Sequence, residues 1–301
     1  NMYFNPGKLL CVLLLLSGAW LVPVQAQDKE EKKEEKKEEA KALFPDKNLE
    51  AVVRREVFEK RNKKDPLTKE DVVNISSIGV GGYGRGKKIK SLQGLEACRS
   101  LRALELPDNE IEDLSAIQEL KYIQTITLSG NKIKDIGPLG KLTALQYINI
   151  EKNQVADLKP LETLKNLRNL YADENTVKDL APLAGLDKMV SIYLKNNQVT
   201  DLKPLAKLKW LERLDVSGNG LTDVSALAGL TEWRYLFLHR NKITDLSILI
   251  EMAQKDKKGD QRFAPFWNLY LADNPLSDAA KGKQLEELKK VARTVDLKYN
   301  R

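Results

Sequence analysis

One histidine, His239, and two cysteines, Cys11 and Cys98, are all that the 301-residue chain offers of the side chains that most often bind transition metals or act as nucleophile and base near neutral pH. Haem, zinc-finger and His-dependent catalytic schemes need more partners than that, so they are excluded at the outset. Three patterns still invite chemistry. Gly79-x-Gly81-x-x-Gly84 spells the dinucleotide fingerprint, followed by a basic tail, Arg85, Lys87, Lys88 and Lys90, that an anion would meet. Seven aspartates, Asp113, Asp135, Asp157, Asp179, Asp201, Asp223 and Asp245, recur every 22 residues like a ladder of metal ligands. Glu151 and Asp173 are acids on what would be neighbouring strands, the arrangement of an acid–base pair.

Each pattern depends on the element that carries it. Asn109, Asn131, Asn153, Asn175, Asn197, Asn219 and Asn241 recur every 22 residues inside one apolar frame, such as Leu211-x-x-Leu214-x-Val216-x-x-Asn219-x-Leu221-x-x-Val224-x-x-Leu227-x-x-Leu230. This is a leucine-rich repeat, and Asn274 opens an eighth copy after 33 residues. The Leu-x-Leu pairs predict short parallel strands about 4.8 Å apart. The asparagines predict a ladder of side chains that satisfies backbone groups where the chain turns inward. Within that frame the aspartates cap the turn leaving the sheet. They are not interleaved with other ligands as calcium loops are, so no metal is expected. Pro138, Pro160, Pro182 and Pro204 suit the first residue of a short helical turn. Ile75, Ile78 and Val80 fit an incomplete first repeat, so the glycines read as an inserted rim loop. Cys98, Trp233 and Phe266 fall on core leucine positions, which makes the thiol buried and inert.

The chain divides accordingly. Residues 1–26 combine Lys8, an apolar run from Leu9 to Val22 and the ending Val24-Gln25-Ala26, a secretory leader, with an uncleaved anchor as the alternative. Once it is removed, no span and no internal disulfide are expected. Residues 27–43 are a Glu/Lys tether in which like charges meet at i,i+4. Residues 44–76 form a helical N-terminal cap, with Asp46 and Thr68-x-x-Asp71 as helix starts. Residues 77–276 hold the repeats, with insertions near 81–86 and 253–264, and 277–301 close the solenoid with a helix and a last strand.

The frame Leu-x-x-Leu-x-Leu-x-x-Asn-x-Ile-x-Asp-Leu-x-Pro-Leu-x-x-Leu, behind a cap beginning Phe44-Pro45-Asp46-x-x-Leu49, resembles the internalin-type class of secreted bacterial leucine-rich repeat proteins over about residues 44–301. The resemblance implies an α/β right-handed horseshoe with a concave parallel sheet that binds a protein. It does not imply host invasion, because the residues after the repeats read as a cap with no sorting motif or wall-binding repeat. A similar repeat occurs in intracellular phosphatase regulators, a setting at odds with the leader.

Positions six, four, two and one before each asparagine should face the concave surface. They hold Tyr147, Tyr171, Tyr193, Tyr235, Phe237 and Tyr270, where about two aromatics would fall by chance, and such clustering favours a binding surface over mere strand propensity. Glu151, Asp173, Lys195, Arg213, Asp215 and His239 surround them and would supply polar specificity. The expected function is a secreted, periplasmic or cell-surface recognition module, monomeric, without cofactor or catalytic residues, binding a protein or peptide. Binding of an envelope glycan or polymer and a purely structural role stay open as alternatives. Nucleic acid is disfavoured, because residues 101–241 hold 18 bases and 19 acids and the net charge of +7 resides in the ends.

Overall fold

A computed structural model of the chain describes residues 42–298. The leader and nearly all of the Glu/Lys tether lie outside them. Ten strands form one parallel sheet in sequence order: β1 (Ser77–Ile78), β2 (Ala103–Glu105), β3 (Thr125–Thr127), β4 (Tyr147–Asn149), β5 (Asn169–Tyr171), β6 (Ser191–Tyr193), β7 (Arg213–Asp215), β8 (Tyr235–Phe237), β9 (Asn268–Tyr270) and β10 (Thr294–Asp296). Each three-residue strand points its middle side chain inward, so Leu104, Ile126, Ile148, Leu170, Ile192, Leu214, Leu236 and Leu269 stack as register partners in a continuous core. The two flanking side chains face out, as strand alternation requires.

What ends each strand is a backbone inversion. The residue before every ladder asparagine has positive φ, whether it is glycine, as at Gly130 and Gly218, or Asp108, Lys152, Glu174, Asn196, Arg240 and Asp273. A left-handed residue with a side chain costs about 1–2 kcal/mol. The asparagine that follows offsets that cost. Asn175 Oδ1 accepts the Val155 N–H at 2.9 Å, while its Nδ2 donates to the Ile150 carbonyl at 2.9 Å and to the Ala172 carbonyl at 3.1 Å. The same three bonds recur at Asn131, Asn153, Asn197, Asn219, Asn241 and Asn274, so every repeat is tied to the one before it. Two residues after each of the seven recurrent aspartates, a backbone N–H donates to its carboxylate at 2.7–2.9 Å and starts the turn that crosses the far side. In four of these turns proline occupies one of the first two positions.

The ends are closed by helices. α1 (Lys47–Glu56) buries Leu49, Val52 and Val53, and Asp46 both caps it and accepts the N–H groups of Lys90 and Ser91, tying the cap to the first repeat. α2 (Lys69–Val72) starts at a reciprocal Thr68–Asp71 capping box. The 11 additional residues before Asn274 extend one far-side turn into α3 (Ser247–Lys258), and α4 (Leu285–Lys289) leads into β10. Among the described residues no helix is long and apolar enough to cross a membrane.

Two expected core positions depart from the sequence expectation. Val80 is exposed, because Gly79 at φ 75° turns the chain out after β1. A Cβ on Gly79 or Gly84 would lie 2.1 or 2.0 Å from the Glu105 carbonyl oxygen, so these glycines are there for close backbone approach. Phe266 is 49% exposed, and Trp267 is buried in its place. The buried carboxylate of Asp256 accepts the N–H groups of Arg262, Phe263 and Ala264, which fixes the loop after α3 and shifts the inward position by one residue. Cys98 and Trp233 are in the core, and burial, then Glu96, pushes the Cys98 thiol up to about 12.

Asn175→Ala strands the buried Val155 N–H and takes one of two asparagine donors from each of the Ile150 and Ala172 carbonyls, which keep Asn153 and Asn197, and should lower stability by about 2–4 kcal/mol. Asp157→Ala removes one exposed turn bond and should cost about 0.5–1 kcal/mol. Urea titration separates the two, and equal losses would contradict the dominance of the ladder.

Candidate functional site

The outward side chains of the strands lie in rows set by the sheet register. One row runs Asn149, Tyr171, Tyr193, Asp215, Phe237, Tyr270, Asp296, and its neighbour runs Tyr147, Asn169, Ser191, Arg213, Tyr235, Asn268. The six aromatics therefore do not form one stripe. They form two blocks on either side of β7. In the first, Tyr171 stacks on Tyr193 at 4.6 Å and Tyr147 tilts against Tyr171 at 5.2 Å. In the second, Phe237 stacks on Tyr270 at 4.5 Å, with Tyr235 at 6.1 Å from Phe237. Such contacts fix the rings before any partner arrives. Burial, as the largest cause, pushes up the phenols of Tyr147, Tyr171, Tyr193 and Tyr270, so each presents a neutral hydroxyl near pH 7.

Between and beneath the blocks lies a hollow of about 350 Å³ with an acidic lining: Glu151, Asp173, Asp215 and Asp296. Lys195 and Lys298 also line it. Asp215 and His239, expected on the open face, are only 7% and 6% exposed and form the floor. His239 meets the Phe237 ring edge-on at 6.4 Å. Arg213 lies to the other side of Asp215, near Glu212 at 3.6 Å and over the Tyr235 ring at 6.0 Å. Glu151 accompanies Asn149, whose Oδ1 accepts the Glu151 N–H at 3.1 Å. Residues immediately before the ladder asparagines, such as Lys152 and Glu174, lie beyond the strands at the left-handed turn. Asp296 and Lys298 were missed by the repeat offsets. The signal for Asp296 was the Val295–Leu297 strand pattern, whose register with β9 places it opposite Tyr270.

Asp173 is the group most altered by this setting. Burial, then the charges of Asp215 and Glu151, push its carboxyl up to about 7, against the Lys195 N–H that donates to it at 2.7 Å and the Lys195 charge. A carboxyl that titrates near neutrality beside other carboxylates is what a proton-transfer site or a cation-binding site requires. Among the described residues no group of three or more His, Cys, Asp or Glu is placed to hold a metal ion.

A carboxyl raised in the folded state holds its proton where the unfolded chain has already released it. Between the ordinary value of 3.8 and about 7, stability is therefore lost as pH rises. Asp173→Asn keeps the acceptor for Lys195 and removes the charge. It should raise stability by about 1–3 kcal/mol at pH 8 and leave it unchanged at pH 4. Urea midpoints at the two pH values are the readout, and an equal offset at both would show that the carboxyl is not raised.

A leucine-rich repeat family model matches residues 123–163, 165–207 and 209–251. Internalin C2 from Listeria monocytogenes is 30% identical over 78% of this chain and 95% of its own, with a TM-score of 0.65. Two further solved structures share the fold. A leucine-rich repeat protein of Leptospira interrogans is 23% identical over 68% of this chain and 62% of its own, with a TM-score of 0.54. A plant receptor kinase ectodomain from Arabidopsis thaliana is 20% identical over 70% of this chain and 26% of its own, with a TM-score of 0.58. No curated protein sequence matches the chain significantly. A 22-residue asparagine ladder closed by a helical cap and matched along nearly the whole of internalin C2 makes this chain a member of the internalin-like leucine-rich repeat proteins.

Proposed function

We propose that the protein is an exported recognition module that binds a protein or peptide on the sheet face, through β4 to β10. One observation carries the reading: the two pre-stacked aromatic blocks stand on a rigid sheet with charged groups recessed between them. Side chains already stacked lose little rotamer freedom on binding, and aromatic anchors surrounded by polar groups are what protein-binding hot spots favour. The first two complete repeats offer Ala103, Glu105, Thr125 and Thr127 at equivalent places and no aromatic, so the partner's footprint lies toward the C-terminal half. Export rests on the apolar leader ending Val24-Gln25-Ala26.

Stacked rings also suit a sugar, so an envelope polymer is the competing ligand. Tyr171→Ala, Tyr193→Ala and Phe237→Ala combined should abolish capture of the partner from the native envelope while leaving the far-UV circular dichroism unchanged. Retention of the protein by polysaccharide resin, lost in the same variant, would favour the polymer. Undiminished capture of a protein partner by the variant would remove the sheet face from consideration.

A further inference from the structure

We propose that the gap between the two aromatic blocks is a receptor slot for one arginine side chain, carried by an extended segment of the protein partner. The inference rests on the reading of the sheet face as the partner surface and deepens it.

Tyr193, Asp215 and Phe237 are register partners on β6, β7 and β8. The two rings therefore stand two strand spacings apart, about 9.5 Å. A planar group in van der Waals contact on both faces needs about 7–8 Å, and a cation midway lies within the roughly 6 Å over which a ring face attracts it. The walls thus admit something flat and cationic. The floor specifies the charge. Asp215 is 7% exposed, and its Oδ1 accepts the Ser217 N–H at 2.9 Å and the Ser217 hydroxyl. Among the described residues its Oδ2 accepts no hydrogen bond, although the side chain lines the hollow. That oxygen is not one of the buried unpartnered atoms, so it opens into the hollow as an acceptor for a donor that enters, and a charged donor satisfies it best.

Glu151 on one side and Asp296 on the other, with Asp173 part-ionised near pH 7, extend the negative lining, so the hollow complements a positive charge despite Lys195 and Lys298. Guanidinium fits better than ammonium, because it stacks flat on rings and is more weakly hydrated. The same face already holds one guanidinium over a ring, that of Arg213 over Tyr235. The Arg213 charge is turned toward Glu212 at 3.6 Å, which reduces its repulsion of an incoming cation.

The test is titration of the full-length protein, by calorimetry or by side-chain NMR shifts, with blocked Gly-Arg-Gly and its citrulline and lysine counterparts. Citrulline keeps the shape of arginine and removes the charge. The arginine peptide should bind saturably, at least about tenfold tighter than either counterpart. Asp215→Asn, which retains the acceptor for Ser217, and Phe237→Leu should each weaken it by about tenfold with near-UV circular dichroism unchanged. Equal binding of citrulline, binding of lysine as tight as arginine, or no saturable binding of the arginine peptide would each overturn the proposal. Loss of partner capture in the triple alanine variant without arginine binding would remove only the slot. Arginine binding without an effect of that variant on capture would instead remove the sheet face as the partner surface.

Discussion

A strand of three residues has too few hydrogen bonds to hold a chain, and β2 to β9 are each secured by the asparagine that follows. That side chain accepts one N–H and donates to two carbonyls at the point where the chain turns away from the sheet. Without the ladder, one buried N–H and one buried carbonyl per repeat would lack partners. The preceding left-handed residue is tolerable for the same reason: a local strain is held by bonds that reach into the previous repeat. Register across the whole sheet follows. Because each asparagine fixes its strand against the one before, outward side chains fall into straight rows, and the distance between any two of them is a count of strands.

The rows separate scaffold from display. Inward positions and ladder asparagines carry the packing and the backbone bonds, whereas Tyr171 packs on Tyr193 and Phe237 on Tyr270 at the surface of the sheet. Asp215 crosses that division. It occupies a display position, yet it is buried and bonded to Ser217, and it interrupts what would otherwise be an unbroken aromatic row. The Asp173 carboxyl, raised first by its own burial, is raised further by the Asp215 charge in the same hollow.

Much of this was legible in the sequence, because a period of 22 converts positions into places. The ladder, the aspartate turns, the core position of Cys98 and the outward tyrosines follow from offsets alone. The offsets failed where the period did. Ahead of Asn274 the inserted helix and the Asp256 carboxylate reset the inward position from Phe266 to Trp267, and ahead of Ile89 Gly79 turned Val80 outward. They also could not show depth. His239 and Asp215 share the offsets of exposed neighbours and are recessed all the same, at the floor of a hollow flanked by side chains of adjacent strands, which a single repeat does not contain.

Rows spaced by strands and partners built of extended chain measure distance with different rulers. The sheet presents a side chain about every 4.8 Å across its strands, while an extended segment lying across them presents one on the same side about every 6.8 Å. Most of their marks disagree. They coincide after about 14 Å, three strands of the sheet against two dipeptide steps of the segment. Three strands is the separation of Tyr171 from Phe237, and of Tyr193 from Tyr270. For a partner of the kind proposed, the spacing of the two blocks would act as a vernier, selecting for chain extension before sequence.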